Sequence, residues 1–137
     1  MVIVSNQDVM AWKLIGHEDL RRIHRKMFDA FQKNGIAVEN LYYCPHPLTA
    51  ACRCRKPRPG LLLAAARDLG TQASRSWMVG DKPSDVQAGN ALGLRTLFVG
   101  NPSRARRFAR ELRADHPQGV VASLSEAVGV LGKPPRS

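Results

Sequence analysis

Apolar residues along the chain alternate between short β-branched or aromatic runs and longer stretches with helical spacing. Val2-Ile3-Val4 predicts a strand, with Ser5-Asn6-Gln7 as its polar exit. From Glu18 to about Lys33, the residues Leu20, Ile23, Met27 and Phe31 recur at intervals of three and four. Arg21, Arg22, Arg25 and Lys26 take the other face, so this is an amphipathic helix, closed by Asn34-Gly35. Leu41-Tyr42-Tyr43 is the next strand. Pro59 suits the first turn of a helix over Leu61–Leu69, closed by Gly70. Trp77-Met78-Val79 is a strand, followed by a short helix from about Ser84 to Leu92 and a strand over Arg95–Val99. A basic helix is expected over 103–114, then a strand at Val120-Val121 and a helix from Ser123 or Ser125 to about Leu131. Strands alternating with helices predict an α/β fold: a Rossmann-like parallel sheet with right-handed crossovers and helices on both faces. With 137 residues the expectation is one domain over 1–131, with 132–137 as a frayed tail.

Residues 44–60, CPHPLTAACRCRKPRPG, break this rhythm. The segment has no period and is long enough to need its own organising device. Cys44-x-His46-x5-Cys52-x-Cys54 offers four soft or borderline ligands. A Cys3His set fills a closed tetrahedral zinc site of the structural kind. The chain has three cysteines, all in this loop. An odd, clustered set with no secretory signal ahead of it argues against disulfides and suits a cytoplasmic protein. Unrelated thiols beside a surface histidine are the plainer alternative.

In a parallel sheet, ligands bind beyond the carboxyl ends of the strands. Three polar groups fall there: Ser5-Asn6, Arg55-Lys56, and Gly80-Asp81-Lys82 with Asp85. Asp81 and Asp85 can converge on one Mg2+, or Asp85 can cap the short helix while Asp81 closes a turn. Lys82 can orient a carboxylate or hold phosphate. Ser5-Asn6 suits phosphate oxygens, or is simply a turn. The net charge of +10 favours anionic partners without choosing among them. Arg104, Arg106, Arg107, Arg110 and Arg113 form a basic segment with one interleaved aromatic, Phe108. It reads as a solvated helix face more readily than as a nucleic-acid surface. No apolar run approaches the ~18 residues that cross a bilayer.

Taken in order, SNQ, YYCPHP, CRCRKPRPG and SWMVGDKPSD resemble the haloacid dehalogenase superfamily. The resemblance is closest to its branch of D,D-heptose 1,7-bisphosphate phosphatases and histidinol-phosphatases, and it is strong to about Val99. It implies a phosphomonoester hydrolase that removes the 7-phosphate of the heptose bisphosphate through an aspartyl-phosphate. Carried over residue by residue, Ser5 holds the transferring phosphoryl group with Asn6 beside it. Lys56 stabilises phosphate charge, Arg55 contacts substrate, and Asp81 ligates Mg2+ with Lys82 and Asp85 in support. Cys44, His46, Cys52 and Cys54 bind structural zinc.

The chain departs from that pattern in two ways. The family nucleophile and its general acid/base form an Asp-x-Asp at the end of the first strand, and this sequence contains no Asp-x-Asp. It starts at what corresponds to the family's second strand, so the central strand is expected to be absent. The chain alone is expected to be inactive. It is then a phosphatase whose N-terminal part is missing from it, or a non-catalytic module that binds a phosphorylated ligand or a partner supplying the missing strand. The second departure follows SNQ, where the family's glycine and arginine-glycine pair align with Val9, Trp12 and Lys13, altering a substrate-facing loop. A buried strand of about five residues contributes three or four core side chains, roughly 5–10 kcal/mol, comparable to the stability of a whole domain. Residues 1–137 alone are therefore expected to be marginally stable or to pair strands unlike the family, and a cooperative calorimetric transition above about 60 °C contradicts the expectation.

Overall fold

The structure, a computed structural model, describes residues 1–112 and 116–131. Arg113, the expected end of the basic helix at 114 and the expected tail at 132–137 lie outside the described residues. The strands are β1 (Val2–Asn6), β2 (Asn40–Cys44), β3 (Trp77–Gly80), β4 (Arg95–Val99) and β5 (Gly119–Val121). Between and after them run α1 (His17–Lys33), α2 (Gly60–Asp68), α3 (Pro83–Asn90), α4 (Pro102–Leu112) and α5 (Leu124–Leu131). Two short 3-10 turns, Asp8–Met10 and Ala73–Arg75, carry no periodic signal and are additions to the expected elements.

All strand pairs are parallel, but they form two sheets. β1 pairs with β2, with Ile3 opposite Leu41 and Asn6 opposite Cys44. β3, β4 and β5 form the second sheet in that order, with Gly80 opposite Phe98 and Phe98 opposite Val120. β1 and β3 each keep one edge without a strand neighbour among the described residues. The expected Rossmann-like parallel arrangement is present, and it is divided where the central strand was expected to be missing.

Burial follows this division. β4 is buried at Thr96, Leu97 and Phe98, and alternation sends Leu97 and Phe98 to opposite faces. Leu97 packs with Val121 and Ala127, while Phe98 packs with Val86 and Ala105. A third cluster joins Leu62, Met78, Ala88 and Leu94, and Val4 of β1 rests on it. No residue of β1 is fully buried, although its Val2-Ile3-Val4 run has the composition of an interior strand.

Helix α1 turns differently from its expected face. Ile23 is 51% exposed, whereas Leu20 is buried and His24 points inward against Tyr43, with ring centroids 5.4 Å apart. The inward stripe runs through buried Leu20 and half-buried His24, Met27, Phe28 and Phe31. Apolar spacing alone could not choose it, because the tyrosines of β2 accept an imidazole edge as readily as an isoleucine. Burial pushes the His24 pKa down, which keeps that ring neutral. Element ends shift by a residue or two. Pro59 is the N-cap of α2 and not its first turn, and α3 stops at Asn90.

Because the three buried clusters centre on β3–β5, the two sheets should differ in local stability. In native-state hydrogen exchange, the amides of β4 are expected to exchange at least tenfold more slowly than those of β1. Equal protection of the two strands would contradict the divided core.

Candidate active site and metal centre

The carboxyl ends of β1, β2 and β3 bring together most of the residues picked out in the sequence. Lys56 lies at their junction with its side chain 9% exposed. Its Nζ donates to the Val4 carbonyl at 2.7 Å and lies 2.6 Å from Asp85 Oδ1, whose side chain is 6% exposed. One buried ammonium thus joins β1 to the first turn of α3. Asp85 Oδ1 has this ion pair but no well-aligned hydrogen bond. Its Oδ2 accepts from the Lys82 backbone N–H at 3.1 Å, closing a capping box on α3. A side chain at Gly80 would collide with the Asp85 carboxylate, so glycine there lets Asp85 reach inward.

Asn6 grips the backbone of Lys56 from both sides. Its Oδ1 accepts from Lys56 N–H at 3.1 Å and its Nδ2 donates to Lys56 O at 3.2 Å. Ser5 Oγ accepts from Gln7 Nε2 at 3.0 Å, and Gln7 N–H donates to Cys44 O at 2.8 Å, which ties the exits of β1 and β2. Arg55 is engaged within the protein. Its guanidinium donates to the His46 carbonyl at 3.1 Å and to Asp8 Oδ2 at 3.2 Å. Asp8 and Gln7 are site residues that sequence reasoning missed. Their one signal was adjacency to Ser5-Asn6, since their partners come from a loop far along the chain. Asp81, at the end of β3, is exposed and has no hydrogen-bond or ion-pair partner among the described residues, and Lys82 is exposed beside it.

The loop after β2 gathers its cysteines. The ligand atoms of Cys44, His46, Cys52 and Cys54 all lie within 4.8 Å of one another. Cys44 Sγ is 3.4 Å from His46 Nδ1 and 3.6 Å from Cys52 Sγ, and His46 Nδ1 is 3.2 Å from Cys54 Sγ. A tetrahedron with metal–sulfur arms of about 2.3 Å has edges of roughly 3.8 Å, slightly shorter on the nitrogen side. These separations are far beyond a disulfide and close to such edges, so the donor set can hold a tetrahedral metal ion. Cys52 and Cys54 are strongly unlike one another. Burial raises Cys52, but backbone N–H groups of Arg55 and Cys54 and the neighbouring thiols outweigh it and bring it to about 6. Burial, then the neighbouring thiols, pushes Cys54 up to about 12. Three sulfurs this close do not all ionise without a cation between them.

Of the basic segment, Arg104 lies over the Phe98 and Phe108 rings and Arg107 over Phe108, and Phe108 packs on the core. The interleaved aromatic is therefore occupied by its own helix. Among the described residues no helix is long and apolar enough to cross a membrane.

Known proteins resemble this chain in sequence and fold. The profile of the HAD-hydrolase-like family matches residues 53–127. A D-glycero-beta-D-manno-heptose-1,7-bisphosphate 7-phosphatase of Photorhabdus laumondii is 34% identical over 97% of this chain and 74% of its own length. The enzyme of that name from Rhodopseudomonas palustris is 33% identical over 67% of this chain, which spans 55% of that relative. The crystal structure of a D,D-heptose 1,7-bisphosphate phosphatase from B. bronchiseptica, complexed with magnesium and phosphate, superposes with a TM-score of 0.83 at 29% identity. The match covers 95% of this chain and 72% of that one.

Replacing Asp85 by asparagine keeps an acceptor for the Lys82 N–H but leaves the Lys56 ammonium buried without a counter-charge. Urea denaturation is expected to show a loss of about 3–5 kcal/mol. Adding Lys56→Met to that variant should recover part of the loss, and a single-variant loss under about 1 kcal/mol would contradict the bridge.

Proposed function

The chain belongs to the HAD-like hydrolases, and we propose that it forms the larger part of a phosphomonoester hydrolase acting on a sugar bisphosphate, D,D-heptose 1,7-bisphosphate, with removal of the 7-phosphate. The observation that carries this reading is the buried Lys56 ammonium at the carboxyl ends of β1 and β3, held by Val4 O and Asp85. Phosphoryl transfer needs cations at the point where charge develops on phosphate oxygens, and a desolvated ammonium acts there more strongly than one in water. Ser5, whose Oγ accepts from Gln7 and keeps its own proton to donate, binds a phosphoryl oxygen. Asn6 positions Lys56, and Arg55 holds the loops that frame the substrate. Asp81 supplies a free carboxylate for Mg2+, with Asp85 and Lys82 in support. A bound Mg2+ would neutralise phosphate charge and orient the ester. Zinc is the ion proposed for Cys44, His46, Cys52 and Cys54, where it fixes the loop that carries Arg55 and Lys56. Three reduced thiols suit a cytoplasmic setting.

The nucleophile is not among these residues. The sequence has no Asp-x-Asp, and among the described residues β1 and β3 each present an edge without a strand neighbour. These edges support a second reading of the same chain: a phosphate-binding module that accepts a strand from outside these 137 residues by backbone hydrogen bonding. On either reading residues 1–137 alone release no phosphate from heptose bisphosphate with Mg2+ present. Co-expression with a polypeptide carrying a strand that ends in Asp-x-Asp is expected to restore release, and Lys56→Ala in that complex to lower kcat at least 100-fold. Release of phosphate by the isolated chain would overturn the assignment of the nucleophile.

A further inference from the structure

Past the two segments that Arg55 ties together lies a cleft of about 280 Å³, lined by Ala11, Trp12, Pro47, Leu48 and Thr49. Its size is just under the ~300 Å³ at which pockets for drug-sized ligands begin, so it admits one ring-sized group. Trp12 is 64% exposed and Leu48 67%, a large outlay of apolar surface for two neighbouring loops. Both walls grow directly out of the proposed phosphate site. One continues β1 through Ser5, Asn6 and the turn at Asp8–Met10 to Trp12, and the other continues β2 through Cys44 and His46 to Leu48. Arg55 fastens them together, bonding Asp8 of the first wall and the His46 carbonyl of the second. The backbone also turns sharply just past Trp12. Lys13 has φ 55°, a left-handed conformation that is strained for a lysine and that glycine adopts freely.

We infer that Trp12 is a stacking platform for the closed sugar ring of a phosphorylated carbohydrate, and hence a specificity-determining residue. This rests on the phosphate reading of Ser5 and Lys56 given above. A pyranose carries an apolar face of ring C–H groups with hydroxyls around its rim. Such a face covers an exposed indole while the rim stays in water, which matches a cleft that is apolar apart from Thr49. A closed ring also enters with its torsions already fixed, whereas an open-chain polyol of the same composition must be ordered on binding. The platform therefore selects ring-closed over open-chain sugar phosphates, and Leu48 across the cleft completes the apolar contact.

The test is calorimetric titration of the zinc-loaded chain, with Mg2+ present, using inorganic phosphate, sorbitol 6-phosphate, glucose 6-phosphate and phenyl phosphate. Glucose 6-phosphate is expected to bind roughly three- to tenfold more tightly than sorbitol 6-phosphate, and to shift the Trp12 fluorescence. Trp12→Ala, a change at an exposed position, should abolish both the preference and the fluorescence response while leaving the affinity for inorganic phosphate unchanged. Leu48→Ala should reduce the preference. Phosphate binding with no ring preference, or a preference that survives Trp12→Ala, overturns the platform alone. Tighter binding of phenyl phosphate than of glucose 6-phosphate overturns the sugar as occupant. Failure of inorganic phosphate to bind overturns the phosphate reading and the platform with it.

Discussion

A lysine ammonium cannot stay in a low-dielectric interior unless charge and hydrogen-bond acceptors surround it, and Lys56 organises the structure around that demand. Its compensation comes from two places distant in sequence, the Val4 carbonyl and the Asp85 carboxylate. Meeting both requires β1 and α3 to stand close together, although no strand among the described residues joins the two sheets. Asp85 reaches inward only because Gly80 leaves it room, and its second oxygen is held by the first turn of α3. The backbone of Lys56 is fixed in turn by Asn6, so one residue couples the end of β1, the loop after β2 and the start of α3.

The cysteine loop serves the same end. Cys54 lies two residues before Lys56, and Gly60 lets the start of α2 come down on the backbone at Arg53 and Cys54. With a metal ion at Cys44, His46, Cys52 and Cys54, the loop is closed at both ends and residues 55 and 56 have little freedom left. Arg55 spends its guanidinium on Asp8 and His46 and so passes this rigidity to the other wall of the site. The chemistry-bearing groups thus form one connected framework, although the hydrophobic core beneath them is divided.

That division separates strength from function. The clusters around Leu62, Phe98 and Leu97 anchor β3–β5, while β1 has no fully buried residue and depends on polar contacts with Lys56, Gln7 and Cys44. A strand added at the open edges of β1 and β3 would cover β1 and bring its own terminal residues to the carboxyl ends, beside Lys56 and Asp81.

Much of this was legible in the linear chain, because the relevant physics is local. The strand–helix alternation follows from apolar spacing, the metal cluster from the spacing of Cys44, His46, Cys52 and Cys54, and the exposed Asp81 from its place just after β3. The lack of an Asp-x-Asp is likewise a property of the sequence, and the family resemblance turns it into the expectation that the central strand is absent. Other features depend on which distant surfaces meet. Periodicity placed Ile23 in the core, but packing against β2 turned His24 inward instead. The bonds of Arg55 to Asp8 and to the His46 carbonyl are of this kind, the first spanning 47 residues of chain. Asp85 could have capped a helix or bound a metal. The fold shows it as a cap and adds a role as the counter-charge of Lys56, because only tertiary structure decides which charges are removed from water together and must therefore neutralise each other.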